Sequence, residues 1–155
     1  SEDVIGAQIG GATKNVIAIA AGVVEGQNLG DSARAATIAR GYSEINLLAV
    51  ALGGKEETLS GLSGMGDLLL TCNSKTSRNF SLGIKLGQGL SVKEATNNLS
   101  SVAEGMYSAR AINKLSNKLG IDMPITNAVN DLIEKNRSVD EIIDDLLSRP
   151  LKREK

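Results

Sequence analysis

The sequence predicts an all-α fold, a compact domain of several packed helices, and three observations carry that prediction. Apolar residues recur at helical spacing along nearly the whole chain, whereas few runs alternate apolar and polar residues as half-buried strands do. Aromatic residues make up only 2% and tryptophan is absent, so the core must be built from Leu, Ile, Val and Ala. The 17 glycines then suit helices whose backbones approach closely. At 155 residues and 41% hydrophobic content, the chain fits one domain that can bury a continuous core without covalent staples.

The first helix is expected over roughly Val4 to Val24, followed by a turn through Gly26 to Gly30. Asp31 stands at the N-cap of a second helix that runs to about Leu52, with Ile38, Ile45, Leu48 and Val50 facing inward and Gly53-Gly54 ending it. From Lys55 to Asn73 the pattern breaks at Gly61, Gly64 and Gly66, which reads as an irregular segment and then a short helix through Asp67-Leu68-Leu69-Leu70. Thr76 to Asn79 precede the periodic residues Phe80, Ile84 and Leu86 of a further helix. Three S-x-x-E patterns, Ser91 to Glu94, Ser101 to Glu104 and Ser138 to Glu141, match the capping box, in which serine and glutamate satisfy free helix-end donors reciprocally. Pro124 fits a first helical position ahead of Ala128, Val129, Leu132 and Ile133. Pro150 stops the last helix, so residues 1–148 form the domain and 149–155 a charged, frayed tail.

Composition narrows the function classes. The formal charge of -1, from 17 basic and 18 acidic residues, gives no broad attraction for nucleic acid or anionic lipid. Cys72 is the only cysteine and histidine is absent, so neither an internal disulfide nor a cysteine or histidine metal cage can form. A reducing, cytoplasmic setting is the simplest reading. The apolar stretch Val4 to Val24 carries Gln8, Thr13, Lys14 and Asn15, and a lysine at that depth is costly in lipid, so the chain reads as soluble without integral membrane contact. The acidic opening lacks the basic region of a secretory signal. No glycine-rich dinucleotide fingerprint follows a strand.

Lys14 is the most informative residue. Its helical neighbours three and four positions away are Gly10, Gly11, Ile17 and Ala18, with Ala21 one turn further, so the amine leaves a smooth surface of small residues. In a dry cleft the neutral amine is favoured, and such an amine can exchange a proton with a substrate. The alternative is a lysine that packs its stem and reaches water. Asn15, among Gly11, Ala12, Ala18 and Ile19, is a second polar misfit on the same helix. Asp67 either caps the short helix after Gly66 or holds Lys14 and balances its charge, with Thr71 one turn beyond it on the same wall. Thr76-Ser77-Arg78-Asn79 offers a helix start, hydroxyls, a guanidinium and an amide, which together suit a phosphate monoester; an ordinary capped surface helix has the same pattern.

These residues, in this order, resemble a known family. Gly11-Ala12-Thr13-Lys14-Asn15-Val16, Gly30-Asp31-Ser32-Ala33-Arg34-Ala35, Gly64-Met65-Gly66-Asp67-Leu68 and Thr71-Cys72 through Ser77-Arg78-Asn79 are similar to NAD(P)-dependent glycerol-3-phosphate dehydrogenase. Val102-Ala103-Glu104-Gly105 and Met123-Pro124-Ile125-Thr126 point to the bacterial form. The resemblance covers nearly all of the chain and implies a helical substrate-binding domain resembling the C-terminal domain of 6-phosphogluconate dehydrogenase. It implies hydride transfer between C2 of sn-glycerol 3-phosphate and NAD or NADP, giving dihydroxyacetone phosphate and feeding glycerophospholipid synthesis. Lys14 would then be the general acid/base on the C2 oxygen and Asp67 would orient it. Asn15, Asp67, Thr71, Ser77, Arg78 and Asn79 would hold substrate, and Arg78, Val102 and Glu104 would reach the cofactor.

Thr13 departs from the leucine more usual at that position. The family's nucleotide-binding Rossmann half, which would be this domain's partner, is missing, so the 155 residues alone are expected to have little or no dehydrogenase activity. The face left by that half offers a surface for self-association as a homodimer. Two competing readings are a related 2-hydroxyacid or ketopantoate-type reductase, in which lysine and asparagine usually lie a helical turn apart, and a helical dimerisation module.

Overall fold

The computed structural model describes residues 2–97 and 103–148, and every element among them is helical. In chain order these are α1 (Val4–Gly26), α2 (Asp31–Ala51), α3 (Glu56–Ser60), a π-helical turn (Leu62–Gly66) that runs directly into α4 (Asp67–Asn73), α5 (Arg78–Gly87), α6 (Val92–Thr96), α7 (Glu104–Leu119), α8 (Pro124–Glu134) and α9 (Val139–Ser148). The expected all-α architecture is the one observed. The tail 149–155, with Pro150, lies outside the described residues, as do Ser101 and Val102.

α1 is the core helix. It is long and apolar enough to cross a membrane by length and composition, yet residues 16–24 are all buried within the fold, and α1 packs against α5, α2, α7, α4 and α8. Asp3 caps its start, accepting from the backbone N–H of Gly6 at 2.9 Å and of Lys55 at 2.7 Å, and those two hydrogen bonds hold its carboxyl below the usual carboxylate range. The same carboxylate therefore ties the loop before α3 to the start of α1.

The glycines do their packing where α1 crosses α5. Gly22 and Gly26 on α1 face Gly83 and Gly87 on α5, each pair one helical turn apart. A Cβ added at Gly83 would lie 2.8 Å from the Gly22 Cα and 2.9 Å from the Ile19 carbonyl carbon, and one at Gly26 would lie 3.0 Å from the Gly87 Cα. Backbone meets backbone here, with no side chain between. The close crossing draws the first turn of α5, which carries Ser77, Arg78 and Asn79, against the middle of α1.

Several helix starts follow the sequence. Ser91 and Glu94 form the complete capping box, Ser138 accepts from the Glu141 N–H at 3.2 Å, and Pro124 is the first residue of α8. Others differ. Gly30, with φ of 94°, is the cap of α2, and Asp31 is its first helical residue, bonded instead to Arg34 at 3.1 Å. A left-handed φ at that junction excludes the aspartate that capping alone would favour. Glu104 is the first residue of α7 behind Ala103, so it cannot be the third-position partner of a box opened by Ser101. Val50, expected to face inward, is 52% exposed on the last turn of α2, while Ile38, Ile45 and Leu48 are buried as expected.

A charged residue in the core replaces one of the missing caps. Glu44 on α2 is only 4% exposed and accepts from the Ile125 N–H at 2.5 Å, the Thr126 N–H at 3.1 Å and the Thr126 hydroxyl at 3.0 Å, so it caps α8 from a neighbouring helix. Burial pushes its carboxyl up to about 7, against those three hydrogen bonds and with help from the Asp122 charge. In the unfolded chain the group titrates near 4.5. The folded state thus holds a proton that the unfolded state releases, and the associated stability is full below pH 4.5 and lost as pH rises through 7. Against a Glu44→Gln variant, which cannot ionise, the wild type is expected to lose roughly 2–3 kcal/mol between pH 4.5 and 7.5, read as the difference between their urea unfolding free energies. A difference that stays constant with pH would contradict this.

Candidate functional site

The surface segment of α1 that follows Gly10 holds the candidate chemistry. Lys14 emerges there with its side chain 27% exposed, and its amine forms an ion pair with the Asp67 carboxylate, which is 39% exposed. The π-helical turn makes this meeting possible. Because Leu62–Gly66 leads straight into α4, the Asp67 N–H is already bonded to the carbonyls of Gly64 and Leu62, and the carboxylate has no helix end to cap. It is aimed at Lys14 instead. Gly64 lets the turn lie on α3, since a Cβ there would sit 2.7 Å from the Leu59 Cα. Of the two readings of Asp67, the one in which it holds the lysine is the geometry found.

The small-residue face around Lys14 is less open than its sequence suggests. Ile17, Ala18 and Ala21 are fully buried, and a Cβ on Gly41 of α2 would strike the Ile17 side chain at 2.6 Å. Gly10 is covered by Leu59, at 3.0 Å from where its Cβ would be, and only Gly11 faces open space. The fold itself therefore occupies most of that stripe, and Lys14 marks its edge, where a small crevice is also lined by Gly10, Tyr42, Leu59 and Leu68. Thr71, half-buried, stands one turn beyond Asp67 on α4.

Asn15 turns to the other flank. Its side-chain amide donates to the Glu104 carboxylate across a long 3.4 Å contact, which brings the first residue of α7 beside the residue that follows Lys14. Asn79, in the first turn of α5, reaches the same place: its Oδ1 accepts from the Gly105 N–H at 2.9 Å, and the side chain is 8% exposed. Ser77 caps α5, accepting from the Phe80 N–H at 3.3 Å, and Arg78 is its first, exposed residue. The structure thus gathers Lys14 with Asp67, and Asn15 with Glu104, Gly105 and Asn79. Val102 lies outside the described residues.

Reading residue types alone passed over Gly105, and it passed over Glu44 as a buried acid. The signal for Glu44 was present: it shares a helical face with Gly41 and Leu48, a core position for a charge. Cys72 is buried on α4, where burial pushes its thiol up to about 12 and leaves it unreactive. Among the described residues no group of three or more His, Cys, Asp or Glu side chains converges as a metal site.

Comparison with known proteins gives a consistent answer. A family profile described as NAD-dependent glycerol-3-phosphate dehydrogenase C-terminus matches residues 3–144. Curated relatives named glycerol-3-phosphate dehydrogenase [NAD(P)+] include one from Zymomonas mobilis, 54% identical over 99% of this chain and 45% of its own length. Another, from Caulobacter vibrioides, is 52% identical over 99% of this chain and 46% of its own length. Among solved structures, glycerol-3-phosphate dehydrogenase from Coxiella burnetii superposes with a TM-score of 0.93 at 40% identity, over 96% of this chain and 46% of that one. The Saccharomyces cerevisiae enzyme gives 0.80 at 28% identity, over 92% and 42%. The chain spans less than half the length of these relatives.

Proposed function

Because the chain belongs to the C-terminal family of NAD-dependent glycerol-3-phosphate dehydrogenases, we propose that it is the substrate-binding, proton-transferring half of an enzyme interconverting sn-glycerol 3-phosphate and dihydroxyacetone phosphate. The observation that supports this reading best is the Lys14–Asp67 ion pair at the edge of a crevice, with Asn15 and the first turn of α5 brought to its other flank. In the direction of reduction, Lys14 Nζ gives a proton to the C2 carbonyl oxygen, and in oxidation it takes that proton from the C2 hydroxyl. Asp67 holds the amine in place and balances its charge. Asn15 and Thr71 line the wall beside it.

The phosphate falls to the start of α5. Arg78 supplies the guanidinium, the Ser77 hydroxyl keeps its proton free to donate while its oxygen caps the helix, and Asn79 keeps its Nδ2 donors because its Oδ1 serves Gly105. NAD or NADP, when bound, supplies or accepts the hydride at C2. This chain's groups fit such a cofactor: the exposed Arg78 suits its phosphates, and the exposed Glu104 carboxylate can accept from its hydroxyls, with Val102 in the same segment. Further contacts to the cofactor fall outside these 155 residues, which span less than half the length of the curated relatives.

The readings as a ketopantoate-type reductase or a dimerisation module have no such support. The test is selectivity for the phosphate. A full-length protein carrying this segment is expected to oxidise NAD(P)H with dihydroxyacetone phosphate and not with dihydroxyacetone, and Arg78→Ala is expected to raise KM for the phosphorylated substrate about 100-fold, the loss of a charge-assisted hydrogen-bonding pair. Equal turnover of the two ketones would contradict it.

A further inference from the structure

Gly105 has no place in the site as proposed, yet it sits where three of the site's elements meet. Its N–H donates to the Asn79 Oδ1 at 2.9 Å, a buried hydrogen bond between α7 and α5. A Cβ on Gly105 would lie 2.7 Å from that same oxygen, 2.8 Å from the Asn15 carbonyl oxygen and 2.8 Å from the Ile19 Cδ1. Of these neighbours the Asn15 carbonyl is helix backbone and cannot give way, and the Asn79 side chain can move aside only by straining its hydrogen bond to the Gly105 N–H. The residue before Gly105 is Glu104, whose carboxylate meets the Asn15 amide.

From this packing we infer that Gly105 is a positioning residue: its missing side chain and its hydrogen bond to Asn79 set how close Glu104 comes to the Lys14–Asn15 segment. The inference rests on the reading of Glu104 as a group that contacts the nicotinamide cofactor. Asn79 then has two duties, presenting Nδ2 toward the substrate phosphate and using Oδ1 to anchor the start of α7. The substrate-holding turn and the cofactor-contacting turn are joined through one carboxamide, so a disturbance at Gly105 reaches the cofactor without removing any group that touches it. Adding one methyl group there must displace the first turn of α7 by a few tenths of an ångström or more, and loss of such alignment is costly in a preorganised site.

The experiment uses a full-length protein carrying this segment, titrated with NADH and followed by the fluorescence of the bound nucleotide in the absence of substrate. Gly105→Ala is expected to raise the NADH Kd about tenfold while KM for dihydroxyacetone phosphate changes less than about threefold. Glu104→Ala is the reference and is expected to weaken NADH binding by a similar factor. If Glu104→Ala weakens binding and Gly105→Ala does not, the positioning role is wrong although the cofactor reading of Glu104 stands. If Glu104→Ala leaves Kd unchanged, the reading of Glu104 fails and the inference falls with it. Should Gly105→Ala not fold, Asn79→Ala removes the same anchor without a wedge. Weakened NADH binding by that variant, at a wild-type circular dichroism spectrum, supports the inference, and an unchanged Kd overturns it.

Discussion

Replacing Lys14 by alanine in a full-length protein carrying this segment is expected to lower kcat for reduction of dihydroxyacetone phosphate roughly a thousandfold, in the middle of the range for removing a general acid. KM for the ketone should change far less, because the proposed phosphate contacts are those of Ser77, Arg78 and Asn79. Stability should barely move. The ion pair with Asp67 is partly exposed on both sides, and pairs of that kind contribute about 1 kcal/mol or less. Lys14→Arg is expected to be no better than alanine, since a guanidinium keeps its proton and cannot give it to the C2 oxygen. Asp67→Asn should lose less, roughly 10- to 100-fold, because it removes the charge that holds the amine in place while keeping the side chain's shape. Steady-state rates check all three variants. A Lys14→Ala protein with kcat within tenfold of wild type would remove the lysine from the chemistry.

The second large effect concerns the fold. Gly83→Ala is expected to destabilise the domain by about 3 kcal/mol, or to lower Tm by about 10 °C, even though alanine is the better helix former by about 1 kcal/mol. The cause is the α1–α5 crossing, where the added Cβ would lie 2.8 Å from one backbone carbon and 2.9 Å from another. Backbone cannot rotate away, so the two helices must separate, and buried apolar side chains of α1 and α5, among them Ile19, Phe80, Leu82 and Leu86, lose contact together. Gly11→Ala is the matched control. Gly11 lies on the same α1 with nothing within 4 Å of its would-be Cβ, so that substitution should stabilise by about 0.5–1 kcal/mol through helix propensity alone. Opposite signs at two glycines, measured by urea unfolding of the two variants, would separate close packing from composition.

What the sequence could disclose follows from the range over which each signal acts. Helix periodicity and the caps at Ser91, Ser138 and Pro124 are set by neighbours a turn away, and the helices stand where those signals put them. The cap expected at Asp31 lies one residue earlier, at Gly30, whose positive φ suits glycine and not aspartate, and α7 starts at Glu104 itself behind Ala103, not at a box with Glu104 in third position. The abundance of glycine forecast close helices, but which glycines would face each other required the crossing of α1 and α5. Lys14 and Asp67 each looked out of place, and their pairing became visible only through the π-helical turn that aims Asp67 across 53 residues of sequence.

Thr13, which the resemblance marks as a departure, is fully buried with no hydrogen-bond partner for its hydroxyl among the described residues. An unpaired buried hydroxyl costs about 1–3 kcal/mol. Residue 13 therefore belongs to the core beneath Lys14 and not to the surface that carries the amine.

The proton-transfer role of Lys14 can be read directly by chemical rescue. Small primary amines of graded basicity, added to the Lys14→Ala protein at saturating dihydroxyacetone phosphate and NAD(P)H, should restore part of the lost rate in proportion to amine concentration, with a dependence on amine pKa. Asp67→Ala added to the same background should blunt that recovery. No response to any amine, from a protein that folds and binds both ligands as the wild type does, would show that the amine carried by α1 is not the group that protonates C2 oxygen.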